Sequence, residues 1–207
     1  MLAATPDQDP ILAAARTVIE EQGTNKATIA AVARQAGLSR MTVYRRFSSW
    51  DAILSALLSQ ELAELLEQAT QDLRDGDTAR ERAVRAAVFL TDAIGRNALF
   101  RRVTEQEPQW LLPLLTTRFG QTQRAAAGEL EQLLKSGMTD FGGDGSIRND
   151  DPAVMALTCL MLSQPFVFAA PALADDPRGG RVRAELPVAL SSYLSPQPTH
   201  LRAKPKE

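Results

Sequence analysis

The chain has 207 residues and a formal net charge of −2, and its 44% hydrophobic content is ordinary for a globular protein with a buried core. Its only histidine, His200, lies in a tail rich in proline and lysine, which argues against histidine-based triads and metal sites. A single cysteine, Cys159, excludes intramolecular disulfides and fits a reducing cytoplasm. We therefore expect a cytoplasmic protein without secretory signal, metal or cofactor.

The first predicted helix follows a flexible arm at residues 1–9. Asp9-Pro10 is typical of a helix start, with Asp9 as the cap and Pro10 in the first turn. Apolar residues then recur at helical spacing at Ile11, Ala14, Ala15, Val18 and Ile19. Gly23 is a typical end for this helix.

Two short helices with a three-residue break come next. Thr28 is predicted to cap a helix that ends at Gly37, and Ser39 to cap a third helix. Val43 and Phe47 of this third helix face the core. The break Gly37-Leu38-Ser39 is typical of a helix-turn-helix, whose second helix enters the major groove of DNA.

The charge pattern of this segment also favours DNA binding. No acid occurs between Gln22 and Trp50, although acids outnumber bases in the whole chain. Arginine binds guanine through two hydrogen bonds, the threonine methyl contacts thymine, and hydroxyl groups suit phosphate. The residues predicted to contact DNA are Thr28, Ser39, Arg40, Thr42, Tyr44, Arg45, Arg46 and Trp50. A basic surface on a helical bundle is the alternative, but the complete spacing favours DNA.

The remaining chain is predicted to be helical, without strands. Helices are expected at about 50–74, 78–95, 97–107, 110–135 and 181–193. The uncharged run 153–174 is long enough to span a membrane, but Pro165 and Pro171 favour a buried helix followed by a loop. The sequence FGGDGS lacks the lysine and preceding strand of a phosphate-binding loop, and predicts a surface loop.

Residues 10–58 resemble the N-terminal DNA-binding domain of TetR-type transcriptional regulators. The matching positions are Thr28, Val32, Ala33, Ala36, Gly37, Leu38, Ser39, Thr42, Tyr44 and Phe47. The resemblance implies a helical, ligand-sensing C-terminal domain and a homodimer, usually a repressor. Trp50 departs from the family, which usually has a lysine there that meets phosphate. Its indole N–H keeps a donor but loses the ion pair, and packing against Phe47 is an equal alternative.

The resemblance implies an all-α fold with residues 10–50 as the helix-turn-helix domain. Residues 51–195 are the expected ligand-binding and dimerisation domain, and 196–207 a flexible tail. The candidate pocket residues are Phe89, Phe100, Trp110, Leu114, Phe119, Met155, Cys159, Leu162 and Phe166. Such side chains more often simply pack in a core. Because they are apolar, we expect a small hydrophobic or weakly polar effector.

The sequence therefore predicts a sequence-specific regulator that acts as a homodimer on a pseudo-palindromic DNA operator. We expect a ligand to release it, and we expect neither enzymatic activity nor a membrane partner. Two alternatives stay open: an architectural DNA binder that senses no ligand, and a helical enzyme. Operator preference and ligand-induced release distinguish the first alternative from a regulator.

Overall fold

The computed structural model describes residues 9–71, 76–107 and 120–196, which contain ten α-helices. They are α1 (Pro10–Gln22), α2 (Ile29–Gln35), α3 (Arg40–Arg46), α4 (Trp50–Gln71), α5 (Ala79–Arg96), α6 (Ala98–Gln106), α7 (Gln121–Lys135), α8 (Pro152–Phe168), α9 (Ala170–Asp175) and α10 (Gly179–Leu194). Two short 3-10 helices occupy Thr24–Lys26 and Thr139–Phe141. Extended pairing in these ranges is limited to one isolated parallel bridge, Met138 to Ile147. The predicted all-α fold is confirmed.

The chain forms two compact units. The first comprises the described parts of Met1–Leu65 and Ala93–Thr122, and the second those of Leu66–Asp92 and Gln123–Glu207. Helix α6 therefore belongs with the N-terminal helices, although some fifty residues of sequence separate it from α3. The predicted boundary at residue 50 separates a DNA-binding domain from a ligand-binding domain, and this division stays a prediction.

Side chains cap the N-termini of the first four helices through short-range hydrogen bonds, and the sequence predicts the first three of these caps. Asp9 Oδ1 accepts a hydrogen bond from the Ile11 amide at 3.0 Å. Three further side-chain oxygens each accept from a backbone amide at 3.1 Å: Thr28 Oγ1 from Ala31, Ser39 Oγ from Thr42, and Ser49 Oγ from Ala52. Each such cap contributes about 1 kcal/mol, because it satisfies an amide that the helix itself leaves unpaired. The helix starts are therefore determined locally.

The core of the first unit draws apolar side chains from all four N-terminal helices. Ile19 of α1, Val32 of α2, Val43 of α3 and Ile53 of α4 are fully buried. Val43 is the residue that attaches α3 to this core, since the other α3 side chains are exposed or only half-buried. One face of α3 is thus committed to packing and the remainder faces outward.

The second unit has its own core between α5, α7, α8 and α10. The buried members are Ala79, Ala83, Leu134, Met138, Ile147, Met155, Ala156, Cys159, Leu186, Leu190 and Leu194. Burial of this apolar surface stabilises the unit by roughly 1.5–3 kcal/mol for each large side chain removed from water.

Two predicted helix boundaries in the C-terminal half are wrong. The helix expected over 110–135 is not continuous, because Gly120 is not helical and α7 begins at Gln121; residues 108–119 lie outside the described residues. The loop expected after the uncharged helix is instead α9, which has Pro171 in its first turn. Proline is tolerated there, since its missing N–H would have no partner within the helix. In the described ranges, no helix is both long and apolar enough to cross a membrane.

The predicted surface loop between α7 and α8 has a structural role. Met138 and Ile147 on either side of FGGDGS are buried and form the isolated bridge. Asp144 Oδ2 accepts a hydrogen bond from the Ala79 amide at 2.7 Å and so caps α5 from a distant part of the chain. Burial acts to raise the pKa of Asp144, but hydrogen bonds from Ser146 and Ala79 outweigh it and lower the pKa below the usual value.

Candidate nucleic-acid interface

Helices α2 and α3 form the predicted helix-turn-helix, joined by a tight turn at Gly37. The Gly37 backbone has a φ of 67°, in the left-handed region that favours glycine. The amide of Leu38 donates to the Ala33 carbonyl at 2.9 Å, which closes α2 before the chain reverses. Ser39 then caps α3, so the turn and the start of the second helix are determined by three consecutive residues.

The predicted DNA-contacting residues all belong to the first unit and are mostly exposed. Thr28, Ser39, Arg40, Tyr44, Arg45 and Arg46 are exposed, and Thr42 and Trp50 are half-buried. Arg40 and Arg45 form no ion pair with any described residue. Their guanidinium groups are therefore available to an external anion or base edge. That these residues contact DNA stays a prediction.

The predicted hydroxyl groups are already used as helix caps. Ser39 Oγ and Thr42 Oγ1 lie 2.8 Å apart and share one hydrogen, so the pair retains a single hydroxyl hydrogen for a further acceptor. Thr28 Oγ1 accepts from the Ala31 amide and keeps its own hydrogen for donation. These residues can therefore offer one donor from Thr28 and one from the Ser39–Thr42 pair to a phosphate.

Arg46 differs from the other predicted cations because an acid neutralises it. Its Nε lies 3.0 Å from Asp9 Oδ2, and the same carboxylate caps α1 through its other oxygen. The sequence between Gln22 and Trp50 contains no acid, but the fold brings one from outside that segment. No local pattern reveals this ion pair, because its partners lie at opposite ends of the domain.

A buried polar group on α4 attaches the start of α6 to the first unit. Glu61 is only 3% exposed, pairs with Arg16 of α1, and accepts a hydrogen bond from Asn97 Nδ2 at 2.8 Å. Asn97 Oδ1 also caps α6 through the Leu99 amide at 2.9 Å. Glu61 and Asn97 were not among the residues predicted from the sequence. The available signal was a single acid at a position of α4 where helical spacing calls for an apolar residue.

The rest of α6 is hydrogen-bonded to the end of α1 and the residues after it. Arg102 Nη1 donates to the Ile19 carbonyl at 3.2 Å. Gln106 Oε1 accepts from both the amide and the hydroxyl of buried Thr24, at 2.8 and 2.9 Å. Helix α6 is therefore held at its start, middle and end by polar contacts to other parts of the first unit, the unit that carries the helix-turn-helix.

Three predicted pocket residues meet in the second unit. Met155 and Cys159 are buried in its core, and Phe166 packs against that core while half-buried. Burial raises the pKa of the Cys159 thiol to about 12, an effect that nearby Arg148 only partly offsets. The thiol is therefore protonated at neutral pH and acts as a small apolar side chain. The arrangement is that of a packed core, and a ligand-binding role stays a prediction.

The other predicted pocket residues that lie in the described ranges differ in burial and in unit. Phe89 is half-buried on α5, whereas Leu162 of α8 is exposed. Phe100 belongs to the first unit rather than the second. Trp110, Leu114 and Phe119 lie outside the described residues. The set therefore remains a prediction, and its members in the described parts are divided between the two units.

A family model for the bacterial regulatory proteins of the tetR family matches residues 11–57. The match covers α1 to α3 and the start of α4, which is the region that forms the helix-turn-helix. The chain therefore carries a TetR-family helix-turn-helix domain at residues 11–57. It is therefore a helix-turn-helix, DNA-binding regulator of transcription, as the resemblance in residues 10–58 implied.

Similarity to other proteins extends over most of the length of this chain. An uncharacterised HTH-type transcriptional regulator of Mycobacterium tuberculosis is 29% identical over 184 residues, 89% of this chain and 92% of that protein. The TetR-family transcriptional repressor QsdR of R. erythropolis has a similar fold, with a TM-score of 0.65 at 16% identity over 92% and 96% of the two chains. The regulator FadR of Bacillus subtilis, in complex with stearoyl-CoA, gives a TM-score of 0.57 at 17% identity over 89% and 98%.

Proposed function

We propose that the chain is a homodimeric repressor that binds a pseudo-palindromic operator and is released by a ligand. Two α3 helices would enter successive major grooves about 34–36 Å apart. The observation that carries this proposal is α3 itself. Val43 is buried, while Arg40, Tyr44 and Arg45 stand exposed and free of any described acid. A surface of this kind has both the charge for phosphate and the side chains for base edges.

The two free arginines of α3 have different roles in this proposal. Arg45 lies far around the helix from Val43 and is the better candidate for two hydrogen bonds to a guanine. Arg40 lies three residues before Val43, nearer the packed side, and is the better candidate for a phosphate. The indole N–H of half-buried Trp50 supplies a further phosphate donor without a charge.

Fluorescence anisotropy tests the DNA-binding proposal. Duplexes tiled across the DNA beside this protein's own gene are titrated with the full chain at two salt concentrations, with random duplex as the control. We expect tight binding to one tile, saturating at a whole number of dimers. Equal, weak binding to every tile and to random duplex would favour the architectural alternative.

Variants at the two arginines separate their roles. Arg45→Ala is expected to cost about 1–3 kcal/mol on the preferred tile and to relax specificity at one base pair. Arg40→Ala is expected to weaken binding to every duplex alike and to make the salt slope shallower by about one unit. Arg124→Ala, at an exposed position of α7 in the second unit, is the control and should change neither quantity. Loss of specificity from Arg40→Ala alone would reverse the assignment.

Exposed apolar residues on α8 and α10 support the proposed homodimer. They are Val154, Met161, Leu162, Val182 and Val188. A two-fold axis would cover each copy of this surface with the other. We expect wild type to sediment as a dimer at micromolar concentration and Met161→Glu to dissociate. The control Phe141→Glu changes another exposed apolar residue, in the loop after α7, and should remain dimeric. A monomeric wild type would refute the dimer.

An apolar effector is the remaining part of the proposal. The buried Met155 and Cys159 support an apolar environment in the second unit, and the similar Bacillus subtilis regulator carries stearoyl-CoA. A ligand releases the protein from the operator only to the extent that it binds more tightly to the protein conformation that cannot contact the operator than to the one that can. Stearoyl-CoA and a short aromatic compound are therefore added to the preformed DNA complex, with free coenzyme A as the control. Release by neither compound would refute this effector class.

The two alternatives make different predictions. An architectural binder would show little operator preference and no ligand-induced release. A helical enzyme would need a reactive group, and in the described residues the single thiol is buried and protonated. The same residues contain no group of three or more His, Cys, Asp or Glu side chains suited to a metal ion. The regulator is therefore the better-supported function.

A further inference from the structure

Met41 is an exposed apolar residue in the middle of the proposed DNA-contacting surface. This residue is 76% exposed, the highest value among the large apolar residues that the structure describes. Single exposed apolar residues are common and by themselves carry no functional meaning. The position of Met41 on α3 is what distinguishes it.

The helical spacing places Met41 directly opposite the buried side of α3. At about 100° per residue, Met41 and Arg45 each lie about 160° from Val43, which is fully buried. Arg40 and Arg46, three residues on either side of Val43, lie only about 60° from it. The helix face furthest from the core therefore carries Met41 and, one turn later, Arg45. These two side chains extend furthest from the domain.

The position of Met41 near the N-terminus of α3 also favours a contact with a base. The N-terminal residues of a recognition helix are those that contact base edges, and Met41 is the second residue of α3. A residue that is both outermost and N-terminal extends deepest into the groove. Because α3 is attached to the core only through its opposite side, Met41 has no described packing role that would account for its identity.

We propose that Met41 is a specificity-determining residue whose side chain packs against the C5-methyl group of a thymine in the operator. This inference rests on the proposed operator binding. The methionine side chain has no hydrogen-bond donor and its sulfur is only a weak acceptor, so it is poorly suited to the polar edges of the bases. The thymine methyl is the apolar group that the major groove presents. An unbranched, polarizable thioether adapts well to such a contact.

The test replaces thymine by uracil, which removes that methyl group and changes nothing else in the base pair. The preferred duplex is first selected from random sequence with the full wild-type chain. Each thymine of its half-site is then replaced by deoxyuridine in turn, in both half-sites together. Dissociation constants are measured by anisotropy for wild type, Met41→Ala and Met41→Leu, with thermal unfolding as a check that both variants are folded.

We expect one uracil position to weaken wild-type binding by about fourfold per half-site, or about 15-fold for a dimer, the effect of removing one buried methyl group. Met41→Ala should bind the thymine duplex correspondingly less well and show no further loss at that uracil. Met41→Leu should retain most of the discrimination, because it keeps an apolar side chain of similar volume.

Three results would overturn the inference while leaving the proposed function intact. They are equal uracil effects in wild type and Met41→Ala at every position, no uracil effect at any position, and a selected half-site that contains no thymine. Selection that yields no preferred sequence at all would refute the proposed function, and the assignment of Met41 with it. The two failures are therefore distinguishable.

Discussion

Removing the amide of Gln106 tests how firmly α6 is attached to the DNA-binding unit. Gln106 Oε1 accepts two hydrogen bonds from Thr24, from the amide at 2.8 Å and from the hydroxyl at 2.9 Å. Thr24 is 2% exposed, so in the wild type its two donors are shielded from water and depend on Gln106 as their acceptor, which Gln106→Ala removes. Each orphaned buried donor costs about 1–3 kcal/mol. Since both donors share one acceptor, we expect a total loss of about 2–4 kcal/mol.

Urea unfolding, followed by circular dichroism at a fixed protein concentration, measures this loss. With a slope of about 2 kcal/mol per molar urea, the midpoint should fall by about 1–2 M. Gln106→Glu keeps an acceptor oxygen and should recover most of the stability. Glu105→Ala is the matched control, because Glu105 is an exposed neighbour on the same helix and should cost less than about 0.5 kcal/mol.

The outcome decides whether these hydrogen bonds hold α6 in place. A midpoint for Gln106→Ala no lower than that of Glu105→Ala would refute the reasoning. A double-mutant cycle with Thr24→Ala provides a second criterion, since residues in direct contact should show a coupling of about 0.5–3 kcal/mol. Additive effects of the two substitutions would mean that Gln106 stabilises the chain by some other contact.

Three further predictions concern other contacts. Asp9→Asn keeps the helix cap but frees Arg46, so operator affinity in anisotropy should rise by up to about fivefold, the usual limit for a surface ion pair. Asp144→Ala should lower the free energy of unfolding by about 1 kcal/mol at pH 7. Because the folded-state pKa of Asp144 is lowered, this contribution is present above the ordinary aspartate pKa and disappears as the pH falls through the lowered value. The Cys159 thiol, with its pKa raised to about 12, should resist dithionitrobenzoate at pH 8 until urea unfolds the chain.

Each of these predictions has a control. Glu20→Gln removes one exposed acid of α1 and should raise operator affinity less than Asp9→Asn; an equal rise would mean that only net charge matters. Asp144→Asn keeps an acceptor oxygen and isolates the effect of charge, and an Asp144→Ala deficit independent of pH would contradict the pKa argument. Rapid labelling of native Cys159 would show that the thiol is accessible.

The sequence by itself determined the features that depend on neighbouring residues. The caps at Asp9, Thr28 and Ser39 involve partners two or three residues away, so the residue type and spacing are sufficient to predict them. The turn at Gly37 and the buried Val43 follow from the same local pattern. The fold class and the helix-turn-helix were predictable because both result from short-range hydrogen bonding and helical periodicity.

The C-terminal boundaries were harder because their signals were ambiguous. Pro171 favours a loop in sequence, but proline is also tolerated in the first turn of a helix, which is where α9 places it. Gly120 interrupts the helix pattern expected over 110–135, although a single glycine within a helix costs only about 1 kcal/mol and need not end it. Tertiary packing, and not local preference, decides between such alternatives.

Only the tertiary structure decided which distant residues meet. It brings Asp9 to Arg46, Glu61 to Asn97, Gln106 to Thr24 and Asp144 to the start of α5. The two residues of each contact are separated by between 36 and 82 positions in the sequence. A single sequence carries no periodic signal for them, because they depend on how whole helices pack and not on the conformational preference of any one segment.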